Sequence, residues 1–201
     1  MLTSISPLGE RARASRWWLT TTAYVVSSTL GGIAVGTLAA LLGGLVPDDV
    51  RSSPVVLVVV ALALVAGLLL DLRVGGRRLP TWRRQVDVAW LGRYRGWVVG
   101  TGYGAQLGVG VVTIVTSSTT YAVVLLAALS GSVPVGALLG GVFGFVRALP
   151  LVLMARVDTR DRLWAVLRHV ENGAPIADRV ARLALAVGAA ALTVVALRGA
   201  P

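Results

Sequence analysis

"WVVGTGYGAQLGVGVVTIVTSSTTYAVVLLAAL", Trp97 to Leu129, is 33 residues without a charge. As one helix it reaches about 50 Å, against a bilayer hydrocarbon core of about 30 Å. It reads as one long, tilted or broken helix, or as two short spans. The rest of the fold follows from that choice.

Four other apolar runs accompany it: Trp17–Val46, Pro54–Leu72, Pro134–Ala155 and Leu183–Leu197. The chain of 201 residues is 56% hydrophobic and only 14% charged, where soluble domains carry about 25%. Its mean hydropathy is +0.80. This is the composition of a polytopic, all-α integral membrane protein. The first run has basic residues before it, as a signal peptide would. It is too long for a signal core, and "PDDVRSS" follows instead of a small-residue cleavage site. It reads as an uncleaved span.

Arginine placement decides the count. All 19 basic residues are arginine. With five spans, one side holds Arg11, Arg13 and Arg16. It also holds Arg73, Arg77, Arg78, Arg83, Arg84, Arg93 and Arg95, and then Arg156, Arg160, Arg162, Arg168, Arg179 and Arg182. Only Arg51 and Arg198 lie opposite, and Arg147 lies within a span. Splitting 97–129 in two would export the six-arginine loop, against the positive-inside rule. Five spans with the N-terminus inside and the C-terminus outside is the expectation. All six tryptophans, at positions 17, 18, 82, 90, 97 and 164, fall on or near the cytoplasmic boundary. The net charge of +10 then faces anionic headgroups. No nucleic-acid-reading motif surrounds the arginines, so nucleic acid is not expected as a partner.

Both cytoplasmic loops carry apolar residues at helical spacing: Trp82, Val86 and Trp90 in one, and Leu163, Leu167 and Val170 in the other. They read as amphipathic helices lying in the membrane surface. "VVSSTLGGIAVGTLAALLG" (25–43) parallels "VTSSTTYAVVLLAALSG" (115–131), and each precedes a proline-led span. The chain thus reads as a single transmembrane domain, 1–201. It is built of two parallel units, 17–95 and 97–175, with an added span at 183–197.

Glycine recurs every fourth position at Gly92, Gly96, Gly100, Gly104 and Gly108, a bare stripe down one helix face. In a water-exposed helix each costs about 1 kcal/mol relative to alanine. Between helices in lipid, close backbone approach through small residues replaces the missing hydrophobic force. Gly32 and Gly36 in the first span and Gly136, Gly140 and Gly144 in the fourth form matching ladders. The first, third and fourth spans are therefore expected to form the tight core, and the aliphatic second span to face lipid. "GTGYGA" also fits a dinucleotide fingerprint, but it lies within a span and position 120 is a threonine instead of the required acid.

Two hydroxyl clusters stand within spans: Ser27, Ser28 and Thr29, and Thr116, Ser117, Ser118, Thr119 and Thr120. Such groups bond back to a carbonyl one turn earlier, or else they face one another along a polar path, with Gln106 adding a contact. Arg147 is the most expensive residue in the chain, at about 2.5–3.5 kcal/mol near a span centre on insertion scales. It snorkels, pairs with Asp71 at the end of the second run, or holds an anion. The lone His169 makes no metal site. The absence of cysteine excludes disulfides and thiolate chemistry. No acid–base pair lies in the membrane, so the chain reads as a non-enzyme without cofactor.

"GAQLGVGVVTIVTSSTTY" followed by "GALLGGVFGFVRALPLVL" resembles the transmembrane region of DsbD and CcdA proteins of the LysE-type superfamily. The resemblance implies a bacterial cytoplasmic-membrane protein. The paired intramembrane cysteines of that family are missing here, which rules out its thiol electron transfer. Two functions remain: a small permease-like transporter of a small solute or ion, or an assembly subunit of a larger membrane complex that packs through glycine faces. Under either, association with itself or with a membrane-protein partner is expected.

Overall fold

The computed structural model describes residues 16–74, 93–110 and 117–199, together with Pro7 and Glu10. Among these the chain is helical and has no strand. The helices are α1 (Trp17–Gly44), α2 (Pro54–Asp71), α3 (Gly96–Val109), α4 (Thr119–Ser130), α5 (Val133–Val152) and α6 (Arg160–Arg198), with a single turn at Asp48–Arg51 between α1 and α2. Four stretches are long and apolar enough to cross a membrane: α1, α2, α5 with its 3-10 extension to Ala155, and α6. Gly92, Thr116 and the loop residues Trp82, Val86 and Trp90 lie outside the described residues.

The helix ends follow local chemistry. Ser53 caps α2 by accepting from the Val56 N–H, with Pro54 in the first turn where its missing N–H does no harm. Thr159 caps α6 through the Arg162 N–H, and Asp161 sits in that first turn. At the far end of α1, Arg51 Nη1 donates to the Gly43 carbonyl at 3.1 Å and its guanidinium also pairs with Asp48. At the other end the carboxylate of Glu10, 1% exposed, accepts from Thr20 Oγ1 of α1 at 3.0 Å.

The 97–129 run is broken in the middle. Gly110 ends α3 with φ +70°, and α4 begins at Thr119. The neighbours of α1 show how the halves run. Thr20, Tyr24 and Ser28 lie against Gly100, Gly104 and Gly108 in turn, and Gly43 lies against Ala128. Both α3 and α4 therefore advance along α1 in its own direction, one after the other. The fourth run returns antiparallel, with Ser28, Gly32 and Gly36 facing Gly144, Gly140 and Gly136.

The glycine ladders are consumed in this packing. A Cβ on Gly32 would overlap the Gly140 carbonyl oxygen, and one on Gly36 the Gly136 oxygen; the reverse holds from α5. A Cβ on Gly100, Gly104 or Gly108 would strike the carbonyls of Thr20, Tyr24 and Ser28. Gly96 is buried at the start of α3. Backbone meets backbone along the whole of α1, which only glycine permits. Tyr24, Val99, Tyr103, Ala148 and Leu151 close an apolar cluster at the lower end of these helices.

The second run packs differently. α2 lies mainly against α6, and Leu64 joins Ala122, Leu185 and Ala189 in a separate cluster. Its other face, including Val55, Val59 and Leu62, is exposed. The surface segment around Leu163 and the last apolar run form one continuous helix of 39 residues, about 58 Å long. The separate surface helix and separate short span read from the sequence are thus joined, and the boundary between unit 97–175 and span 183–197 falls inside α6. Gly173 and Pro175 do not end it. Pro175 lacks one N–H donor, but the helix continues on both sides.

Candidate functional site

Two helix ends, the α3 C-terminus at Gly110 and the α4 N-terminus at Ser118, are both buried. The C-terminal end of α3 carries the negative pole of its macrodipole and the N-terminal end of α4 the positive pole. Each end has a charged side chain of the opposite sign beside it.

At the positive end stands Asp71, the last residue of α2. Its carboxylate accepts from Ser117 Oγ at 2.9 Å and from the Ser118 backbone N–H at 3.0 and 3.1 Å. Ser117 Oγ in turn accepts from the Thr119 N–H and the Thr119 hydroxyl, at 3.3 and 3.1 Å. Two N–H groups that a helix start leaves without partners are thereby satisfied. Arg182 of α6 donates to the Asp71 carbonyl at 3.4 Å, so one residue links α2, α4 and α6.

At the negative end stands Arg147 of α5. Its Nη1 lies 3.1 Å from where a Cβ on Gly110 would sit, beside Thr120 Cγ2 and the Phe143 ring edge. The guanidinium carbon is 5.2 Å from the Phe143 ring centroid, within cation–π range. Nη1 is buried and has no hydrogen-bond partner. The pairing of Arg147 with Asp71 considered from the sequence does not form, because Asp71 is engaged at the other pole.

The two hydroxyl clusters meet at this level by different means. Ser27 and Thr29 bond back to the carbonyls of Tyr24 and Val25 within α1, the cheap burial expected of hydroxyls in helices. Ser28 instead crosses to the Gly144 carbonyl at 2.7 Å. Thr120 is buried beside Gly110, the Ser118 hydroxyl is buried without a partner, and Gln106 is half-buried. Thus Ser28, Gly108, Gly110, Ser117, Ser118, Thr120, Arg147 and Asp71 share one polar belt across five helices.

Sequence reasoning singled out most of these residues but not the device that joins them. The Arg182–Asp71 and Glu10–Thr20 contacts went unread. Their signals were present: an arginine at the polar end of an apolar run, and a lone acid among N-terminal arginines. Among the described residues no group of three or more His, Cys, Asp or Glu is placed to hold a metal.

No protein-family profile matches the chain, and no solved structure is similar to it. Two curated proteins are. The methylamine utilization protein MauF of Paracoccus versutus is 33% identical over 190 residues, which cover 92% of this chain and 68% of that protein. The protein of the same name from Paracoccus denitrificans is 32% identical over 198 residues, 96% of this chain and 69% of that one. At this identity and coverage the chain belongs to the MauF family.

Proposed function

We propose that this chain is a non-enzymatic membrane protein serving methylamine utilization, and that its working part is the broken-helix belt. It crosses the bacterial cytoplasmic membrane five times, by α1, α2, the α3–α4 pair, α5 and the C-terminal part of α6. The N-terminus is inside and the C-terminus outside. The common direction of α3 and α4 along α1 supports counting them as one crossing, and so does the arginine distribution. Residues 160–182 then lie on the cytoplasmic side, next to anionic headgroups. A reporter fused after Pro201 is expected to read outside and one inserted at Asn172 inside; an internal C-terminus overturns the count.

The observation that carries the functional reading is the interrupted span with Arg147 and Asp71 at its two poles. Discontinuous helices whose ends point into a bundle are the usual device for holding a small polar solute in a membrane. A permease-like role follows. The solute is not methylammonium itself. A cation about 6 Å from the guanidinium meets about 3 kcal/mol of repulsion at an effective dielectric of about 20, on the order of a hundredfold in occupancy. The one carboxylate in the belt is already engaged by Ser117 and Ser118 at a positive helix end.

The assembly-subunit reading rested on glycine faces free for a partner. Those faces are occupied within the chain, which leaves that reading the exposed aliphatic sides of α2 and α6. The experiment is deletion of the gene in its own host. Growth with methylamine as sole nitrogen source is expected to fail while growth on ammonium and uptake of labelled methylammonium persist. Normal growth on methylamine removes the link to that pathway, and lost uptake with intact amine-oxidising activity identifies the amine as the solute after all.

A further inference from the structure

Arg51 is a charge on the side that the five-span reading keeps nearly free of arginine. The contacts of its guanidinium explain the exception. α1 and α4 run in the same direction and end side by side, with Gly43 against Ala128 and Gly44 against Gly131. Both present the negative pole of a helix macrodipole there, and two like poles at close range repel. Arg51 touches both ends. Its Nη1 donates to the Gly43 carbonyl of α1 at 3.1 Å. A Cβ on Gly131, the residue that ends α4, would overlap the guanidinium itself.

Burial and position make this more than a surface contact. The Arg51 side chain is 16% exposed, while that of Asp48, which pairs with the same guanidinium, is 89% exposed. Water and salt screen the acid, so the helix ends hold the cation more than Asp48 does. Gly131 has φ +56°, which favours glycine, and its missing side chain leaves the space that the guanidinium fills. Arg51 belongs to the single turn between α1 and α2, and Gly131 to the connection between α4 and α5. One side chain therefore ties two connections together. α4 has 12 residues, about 18 Å, and packs on α1 less extensively than α3 or α5 does.

We propose that Arg51 is a latch that holds the outer end of α4 against α1, and that this end of α4 swings away when the guanidinium leaves the two helix ends. α1 and α5 stay together in that motion, because their backbones touch through Gly32, Gly36, Gly136 and Gly140. Arg51 is a positioning residue: it acts on α4 through the poles of two helices. That this end faces outwards rests on the five-span reading, and the side from which α4 becomes accessible is read separately from the latch itself.

The chain has no cysteine, so a single introduced one reports alone. Ala127 lies in α4 near the latch and Ala148 in α5 towards its opposite end, and both are fully buried. Full-length Ala127→Cys and Ala148→Cys are treated with a membrane-impermeant maleimide in right-side-out and in inverted membrane vesicles. With Arg51 in place both are expected to react slowly. Arg51→Gln is expected to raise the rate at Ala127→Cys about tenfold, the scale of a cation shared by two helix poles, and to leave Ala148→Cys unchanged. Arg51→Lys keeps the charge and is expected to restore most of the protection. Reaction in right-side-out vesicles puts the latch outside; reaction in inverted vesicles alone keeps the latch and reverses the topology. Hydrogen exchange of cysteine-free Arg51→Gln in nanodiscs covers a failure of Ala127→Cys to fold: amides of 124–130 are expected to exchange about tenfold faster, and those of 136–148 as in wild type. No change in either measurement overturns the proposal. So does an equal rise at Ala127→Cys and Ala148→Cys, or across both amide segments, because that is general loss of structure and not the release of one helix end.

Discussion

Gly36→Leu and Gly140→Leu are each expected to leave almost no folded protein in the membrane fraction. At both positions the first atom that a new side chain meets is a carbonyl oxygen of the facing helix, not a flexible side chain. Ordinary overpacking of a core costs about 1–3 kcal/mol because side chains shift to make room. Here α1 and α5 must separate along their whole contact, so the cost exceeds about 3 kcal/mol, a large share of a protein's total stability. Alanine at either position meets the same oxygen and is expected to destabilise as well, though less. Gly173 is the control. Nothing lies within 4 Å of a Cβ built there, so Gly173→Ala is expected to be neutral or to stabilise by up to about 1 kcal/mol through helix propensity. The measurement is the fraction recovered as a monodisperse species after detergent extraction. Recovery of the leucine variants at the level of Gly173→Ala would show that the helices do not approach so closely.

The glycine result also shows what the sequence made legible. A four-residue spacing of small residues predicts a bare helix face, and three matching faces predict which helices meet. Spacing does not say which glycine in "GTGYGAQLGVGVV" breaks the span. Gly100, Gly104 and Gly108 serve close approach within a helix, while Gly110 adopts a positive φ and ends it; locally the four look alike. Asp71 was equally ambiguous. Its position at the end of an apolar run marked it as costly, but its partners lie 46 and 47 residues away, a distance that no local pattern encodes. The continuity of α6 was hidden for the opposite reason. Gly173 and Pro175 are strong local breakers, and here the helix overrides them.

Asp71→Ala is expected to destabilise by about 2–4 kcal/mol, and Arg147→Ala is expected not to rescue it. Removing the carboxylate leaves the Ser118 N–H and the Ser117 hydroxyl at the start of α4 without their acceptor. Loss of a helix cap alone costs about 0.5–2 kcal/mol, and each charge-assisted hydrogen bond adds about 1.5–3 kcal/mol, partly offset where water reaches the half-buried group. Asp71→Asn keeps one acceptor and loses the charge at the positive helix end, so it is expected to fall between wild type and alanine. Were Asp71 and Arg147 an ion pair, deleting either would strand a buried charge and deleting both would recover much of the loss. The structure puts them at opposite poles of the break, each facing a helix end. Arg147→Ala therefore removes a cation with no carboxylate partner and is expected to be neutral or mildly stabilising. The double variant should equal the sum of the singles to within about 0.5 kcal/mol, as for sites that share no partner. Equilibrium unfolding of the four proteins in mixed micelles measures this cycle. A coupling of more than about 1 kcal/mol in the direction of rescue would mean that the two charges meet, and that the break is held together by a single ion pair rather than by two helix ends neutralised independently.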